Sequence, residues 1–140
     1  MTSPASDPAQ PAAARIYDYL LGGKDNYAVD RAASEKVLAV APDQRWLAQA
    51  NRAFAIRAVR VLAEAGVRQF IDLGTGFPTS PSVHEAARQA DPSARVVYVD
   101  HDPVCTRTTR RCWPPTTGWL RCRPTSAGPR TSSGTRTWRG

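Results

Sequence analysis

The sequence predicts an α/β protein built around a parallel strand–helix–strand unit, and three observations carry that prediction. Residues 67–74, "VRQFIDLG", form an apolar run that enters a glycine turn, and residues 94–100, "ARVVYVD", form a second apolar run. Between them lies the helical stretch "SPSVHEAARQA", residues 80–90, with Ser80 as the expected cap and Pro81 at its first position. Apolar runs of this kind are typical of buried parallel strands, and a helix joins such strands by a right-handed crossover.

The first predicted helix covers residues 11–21. It follows residues 1–10, a stretch rich in Ser, Pro and Ala that we expect to be disordered. Gly22 ends this helix, and a polar turn leads into a second helix over residues 31–40, for which Asp30 is the expected N-cap. These helices open an N-terminal helical segment that extends to residue 66.

The third predicted helix, residues 43–65, has the clearest periodicity in the chain. Its apolar residues recur at steps of three and four, which predicts that they face the core. Trp46 is likewise expected in the core rather than in a stacking platform. The series consists of Leu47, Ala50, Phe54, Ala58, Val61 and Leu62. The strand–helix–strand unit then occupies residues 67–104.

The glycine turn and two acidic residues make the crossover a candidate binding site. Gly74 and Gly76 can adopt positive φ at little cost, and without a Cβ they let a ligand approach the backbone closely. Asp72 precedes the first glycine by two positions, and Asp100 closes the second strand. Ligands of parallel α/β sheets bind at the carboxyl ends of the strands, where an acid such as Asp100 can accept the two hydroxyls of a ribose.

The pattern D-x-G-x-G favours a ligand without phosphate. A dinucleotide fingerprint needs a third glycine, and Thr79 stands at that position. Asp72 can instead help to hold an amino-acid ammonium. S-adenosylmethionine carries both a ribose and an amino-acid end, so Asp72 and Asp100 fit it better than they fit NAD. An NAD-binding oxidoreductase fragment stays open as an alternative, as does a glycine turn with a solvated strand-end acid.

Three stretches resemble the S-adenosyl methyltransferase family that is abundant in actinobacteria and was formerly a domain of unknown function. They are "ARIYDYLLGGKDNYAVDR", "VRQFIDLGTGFPTSPSVHEAA" and "ARVVYVDHDPV", and the resemblance covers residues 12–104. It implies a truncated class I, Rossmann-like methyltransferase fold with S-adenosylmethionine as cofactor. The cofactor-binding residues that it implies are Asp72, Gly74, Thr75, Gly76, Asp100, His101 and Asp102.

The stretch "YDYLLGGKDNY" forms a polar glycine loop before the core. Many methyltransferases close the cofactor pocket with such an N-terminal segment, so the resemblance predicts a lid. The alternative is a helix C-cap followed by a turn. The candidate lid residues that could contact the cofactor are Tyr19, Gly23, Lys24 and Asn26. His84, inside the following crossover helix, is expected to have a surface or packing role.

The last quarter of the chain differs in composition from the rest. Residues 105–140 hold 8 Arg and no acid, whereas residues 1–104 hold 11 Lys+Arg against 12 Asp+Glu, so the tail carries all of the excess charge. It also holds Cys105, Cys112 and Cys122, whose spacing fits no zinc site. Without periodicity or enough aliphatic residues, the tail is expected to be disordered.

Two interpretations of the tail are open. A basic arm with interleaved Trp would bind nucleic acid without any enzymatic activity. A frameshift is the favoured interpretation. The tail can be written in GC-rich codons which, read one base out of phase, encode a different sequence. That sequence has an amphipathic helix end, a strand and an acidic turn, in the order that a methyltransferase requires. Nucleic acid is therefore not an expected partner.

The resulting functional hypothesis is a methyltransferase fragment. We expect the chain to retain the cofactor-loop half of the fold, with an open sheet edge and an uncovered apolar face, and to be marginally stable and inactive as translated. The methyl acceptor is a small molecule or unknown, and no catalytic base is assigned. No metal site is expected. The absence of a signal peptide and of any apolar run long enough for a membrane helix predicts a cytoplasmic protein.

Overall fold

A computed structural model of the chain describes residues 7–100, 102–112 and 119–121. It confirms the α/β class and the parallel sheet. In chain order the elements are α1 (Ala13–Leu20), α2 (Ala28–Val40), α3 (Gln44–Glu64), β1 (Gln69–Leu73), α4 (Val83–Ala90), β2 (Arg95–Asp100), α5 (Pro103–Cys112) and β3 (Trp119–Arg121).

The sheet has the strand order β1–β2–β3, and both pairs are parallel. Gln69 pairs with Arg95, and Leu73 pairs with Val99, so β1 and β2 end side by side. The helix α4 makes the predicted crossover between them and packs with α3. Both glycines of the turn therefore emerge at the same edge of the sheet as Asp100.

One face of the sheet is covered and the other is open. On the covered face Val96 and Tyr98 are buried with Val83 of α4, and Phe70 packs against them. Ala63 of α3 forms a second cluster with Ala87 and Ala94. On the opposite face Ile71 and Leu73 are 69% and 74% exposed. The predicted uncovered apolar face is thus present in the described part of the chain.

The predicted inner face of α3 is wrong. Trp46 and Phe54 are 69% and 63% exposed, and Leu47, Val61 and Leu62 are exposed as well. The buried residues of the helix are Ala48, Ile56 and Ala63. Small side chains let α3 lie close to α4, and the larger apolar side chains are left on the solvent side.

Two predicted helix caps are also wrong. The helix α2 begins at Ala28, and its N-cap is Tyr27, whose backbone N–H donates to Asp30 Oδ2 at 2.8 Å. Asp30 is therefore the third residue of the helix, in a capping box. The helix α4 is capped by Ser82 rather than Ser80, so Pro81 precedes the cap and does not occupy the first helical position.

The predicted start of disorder at residue 105 is wrong for part of the tail. The helix α5 begins at Pro103 and runs across that boundary to Cys112, and β3 lies further on at 119–121. Asp102 stabilises the first turn, because its Oδ1 accepts a 2.8 Å hydrogen bond from Val104 N. Cys105 and Thr109 are buried, so this helix packs against the fold.

The remaining predictions of disorder fall largely outside the described residues. Residues 1–6, 113–118 and 122–140 belong to this group. Residues 7–10 form a turn, in which Ala9 N donates to Asp7 Oδ1 at 2.9 Å, so the predicted disorder is wrong there. No helix within the described ranges has the length and apolar character needed to cross a membrane.

Candidate functional site

A cleft of about 620 Å³ opens at the carboxyl ends of β1 and β2. One wall is α1 with the residues that lead into it, another is the middle of α3, and the floor is the loop after β1. Among the lining residues, those that the sequence singles out are Asp72, Gly74, Thr75, Gly76, Asp100 and Asp102. The fold thus brings the predicted strand-end residues into one concave site.

The glycine turn is hydrogen-bonded to the neighbouring strand. Gly74 N donates to Val99 O at 2.8 Å, and Thr75 N donates to the same oxygen at 3.3 Å. Gly74 and Gly76 have φ values of 73° and 67°, which favour glycine. A Cβ at either position would meet no protein atom within 4 Å, so the space above the turn is open to a ligand.

Asp100 connects the turn to the segment that follows β2. Its Oδ2 accepts a 2.7 Å hydrogen bond from Gly76 N, and its Oδ1 accepts a 2.8 Å hydrogen bond from Asp102 N. Both acids are largely buried. A carboxylate is an acceptor with about four lone-pair sites, which suits it to the hydroxyls of a ligand. His101, the third predicted residue of this group, lies outside the described residues.

Asp72 and Arg52 place opposite charges on the same side of the cleft. Burial raises the pKa of the Asp72 carboxyl; the Arg52 guanidinium opposes this shift, and the Asp100 carboxylate adds to it. Arg52 comes from α3, and its Nη2 donates to Thr79 O at 3.0 Å and to Pro81 O at 2.7 Å. The helix is thereby joined to the loop that follows the glycine turn.

Asp18 forms part of the wall on the α1 side. It is buried, lines the cleft, and its Oδ2 accepts 2.8 Å hydrogen bonds from Asp25 N and Asn26 Nδ2. A Cβ at Gly23 would overlap Asp18 Oδ1, so only glycine allows the carboxylate this close to the loop. Gly23 and Asn26, both predicted to bind cofactor, therefore contact Asp18, which in turn lines the cleft.

The other two predicted lid residues lie away from the cleft. Tyr19 OH donates to Glu35 Oε1 at 2.6 Å on α2. Lys24 is exposed and pairs with Asp25 at 3.1 Å. Neither side chain is brought to the glycine turn.

A buried ion pair fixes the segment that enters α1. Asp30 accepts hydrogen bonds from Ala12 N at 2.9 Å and from Arg15 Nε at 2.7 Å. Burial alone would raise the pKa of Asp30, but these hydrogen bonds and that of Tyr27 N outweigh it and hold the pKa below its usual range. Because Ala12 lines the cleft, Asp30 anchors this wall without reaching the site itself.

His84 belongs to a buried cluster outside the cleft. Its Nδ1 lies 2.8 Å from Tyr98 OH and 2.9 Å from Ser82 Oγ. Burial lowers the pKa of the imidazole. These contacts join the start of α4 to β2, which agrees with the packing role expected from the sequence.

Sequence reasoning missed two charged residues of the cleft, Asp18 and Arg52. Asp18 lies within the "YDYLLGG" stretch, whose neighbouring residues are predicted to contact the cofactor. Its position one helical turn before Gly22 is the sequence feature that could have identified it. Arg52 lies in the middle of the third predicted helix, outside its apolar series. Its place in the cleft depends on the orientation of α3, which the periodicity misassigned.

Comparisons with known proteins agree with this architecture. Residues 2–116 match the family described as S-adenosyl methyltransferase. A crystal structure from Thermobifida fusca YX, of a protein proposed to be a methyltransferase, is 43% identical with a TM-score of 0.78 and covers 86% of this chain. A DUF574 family protein from Streptomyces avermitilis MA-4680 is 42% identical with a TM-score of 0.74 and covers 81%. This chain spans 46% and 45% of their lengths, respectively. No curated protein sequence matches it significantly.

Proposed function

The chain belongs to the S-adenosyl methyltransferase family, and on that premise we propose that its cleft binds S-adenosylmethionine as the donor for methyl transfer. The observation that carries the proposal is the junction at the strand ends. There the open glycine turn lies between Asp72 and Asp100, with Gly76 N hydrogen-bonded to Asp100 at 2.7 Å. Asp100 accepts the ribose hydroxyls, and Asp72 holds the ammonium of the amino-acid end.

The charge of the cleft supports a cationic ligand. Four carboxylates line it, against one guanidinium, that of Arg52; the four are Asp18, Asp72, Asp100 and Asp102. S-adenosylmethionine carries a sulfonium and an ammonium beside one carboxylate. Its net positive charge therefore complements the lining.

The same region disfavours a dinucleotide. A pyrophosphate binds where a helix offers free N–H groups directly after the glycine turn. In this fold Glu85 already occupies the N-terminus of α4, since its Oε2 accepts a 2.6 Å hydrogen bond from Ser82 N. Six residues also separate Gly76 from the first residue of the helix, which begins at Val83. The oxidoreductase alternative thus loses its phosphate site, and the comparisons give no support to it or to a nucleic-acid binder.

S-adenosylmethionine supplies an electrophilic methyl group on its sulfonium. The residues of this chain bind and orient the donor, which is the main contribution that a methyltransferase makes to such a displacement. Ala12, Ala13 and Ala14 form an apolar part of the wall that excludes water beside the donor. We propose that the longer members of the family add the acceptor site and methylate a small molecule, and that this chain, located in the cytoplasm, retains the half that binds the methyl donor.

Calorimetric titration of the purified chain with S-adenosylmethionine and with NAD tests the proposal. We expect heat of binding with S-adenosylmethionine and none with NAD. Asp72→Asn and Asp100→Asn should each weaken the first titration, whereas Asp91→Asn, at the opposite end of the strands, should leave it unchanged. Equal binding of both ligands, or of neither, contradicts the proposal.

A further inference from the structure

The guanidinium of Arg52 has a hydrogen-bond donor without a partner, next to the proposed binding site for S-adenosylmethionine. Within the part of the chain that the structure describes, Arg52 Nε is the buried side-chain nitrogen without a hydrogen-bond partner. Both hydrogen bonds of the guanidinium use Nη2, which donates to Thr79 O and Pro81 O. A buried donor of this kind normally has a partner, and a ligand is one way to provide it.

The position of Arg52 specifies what kind of partner would fit. Its side chain lines the cleft together with Asp72 and Thr79, close enough to Asp72 to affect that carboxyl electrostatically. A cation and an anion on one side of a cleft match the two charges of an α-amino acid. A guanidinium also recognises carboxylates through its fixed planar set of donors.

We propose that Arg52 recognises the carboxylate of the amino-acid end of S-adenosylmethionine, so that Arg52 and Asp72 together select a donor with an intact amino acid. This inference rests on the proposed function and adds a specificity-determining residue to it. The two loop carbonyls hold Nη2 in place, which leaves the Nε–H as the donor for a carboxylate oxygen of the ligand. Lysine cannot reproduce this arrangement, because its single ammonium cannot bond the loop carbonyls and present a planar fork to the ligand.

Ligands that differ only in the amino-acid end provide the test. S-adenosylmethionine carries the carboxylate and the ammonium, decarboxylated S-adenosylmethionine carries the ammonium alone, and 5′-methylthioadenosine carries neither. Dissociation constants for all three are measured with the full chain, with Arg52→Gln, with Arg52→Lys and with Arg57→Gln. Arg57 lies on the exposed side of the same helix and is the matched control.

The quantity to compare is the ratio of dissociation constants for decarboxylated and intact S-adenosylmethionine within each variant. Any loss of folding in a variant lowers its affinity for every ligand by the same factor, so that factor cancels in the ratio. We expect the wild-type chain and Arg57→Gln to prefer the intact ligand by roughly 10- to 100-fold, as a charge-assisted hydrogen bond predicts. In Arg52→Gln the ratio should fall to about 1, and Arg52→Lys should lie between.

The outcomes separate the two proposals. If S-adenosylmethionine binds but the wild-type ratio is near 1, or if Arg52→Gln keeps the wild-type ratio, the assignment of Arg52 is overturned and the donor site stands. If the wild-type chain binds none of the three nucleosides, the proposed function itself is overturned. Unchanged binding of 5′-methylthioadenosine in Arg52→Gln supports a role confined to the amino-acid end.

Discussion

The amide of Gly76 lies 2.7 Å from Asp100 Oδ2, so the turn after β1 and the acid that ends β2 form a single hydrogen-bonded unit. The proposed ribose acceptor is thereby oriented before any ligand arrives. Asp102 N holds the other carboxylate oxygen at 2.8 Å. Preorganisation of this kind reduces the entropy that a ligand must lose on binding.

Asp100→Asn should weaken binding of S-adenosylmethionine by roughly 10- to 100-fold, because the amide removes one charge-assisted acceptor from the ribose and from the turn. Titration calorimetry measures the effect. Asp91→Asn is the control, since Asp91 pairs with Arg68 at 3.0 Å at the opposite end of the strands. Equal affinities of Asp100→Asn and the wild type would contradict a ribose contact at this acid.

Gly23→Ala should destabilise the fold through Asp18. The added Cβ would overlap Asp18 Oδ1 and displace the carboxylate from Asp25 N and Asn26 Nδ2. In the double variant Asp18→Ala/Gly23→Ala the overlap is absent, so the free energies of unfolding should be non-additive by about 1 kcal/mol or more. Urea unfolding of both single variants and the double variant measures this coupling. Strict additivity would show that the two residues do not interact.

Asp72→Asn should stabilise the ligand-free chain at neutral pH while weakening donor binding. Because burial raises the folded-state pKa of Asp72 above its unfolded value of 3.8, the folded state binds more protons between the two values. Wild-type stability attributable to this group is therefore present at low pH and is lost as the pH rises from about 4 through the folded-state pKa. Urea unfolding as a function of pH should show a smaller decline for Asp72→Asn. A steeper decline in that variant would contradict the assignment.

Substitutions on the two faces of the sheet should differ in cost. Val96 is fully buried, so Val96→Ala should lower the free energy of unfolding by about 2 kcal/mol. Ile71 is 69% exposed, so Ile71→Ala should cost less than about 1 kcal/mol. Denaturant titrations give both values. If Ile71→Ala costs as much as Val96→Ala, another part of the protein or a second copy covers that face in solution.

The candidate site could be predicted to a large extent because its determinants are local. A run such as "VRQFIDLGTG" specifies a strand, a tight turn and the edge where they meet, and Asp100 ends the next apolar run. Parallel pairing then brings these ends together without any further information. For this reason Asp72, Gly74, Thr75, Gly76, Asp100 and Asp102 all line the cleft.

The parts that could not be predicted depend on how helices pack. The periodicity of α3 pointed to Phe54 because large apolar side chains dominate such patterns, yet Ala48, Ile56 and Ala63 are the residues that pack inward. The same misassigned orientation of α3 prevented the prediction that Arg52 lines the cleft. The cap of α4 is a different case, because Ser82 and Glu85 form a capping box, a local Ser-x-x-Glu pattern that the sequence already contains.

The acidic lining of the cleft also bears on selectivity against other adenosine compounds. In a cell, adenosine di- and triphosphates are abundant and carry the same adenosine moiety as the proposed methyl donor, but they are polyanions. Inside the cleft the four carboxylates disfavour such polyanions and favour a cationic ligand, so discrimination arises at the lining itself. Raising the ionic strength should weaken binding of the proposed donor and let adenosine phosphates compete, because dissolved salt screens these short-range interactions.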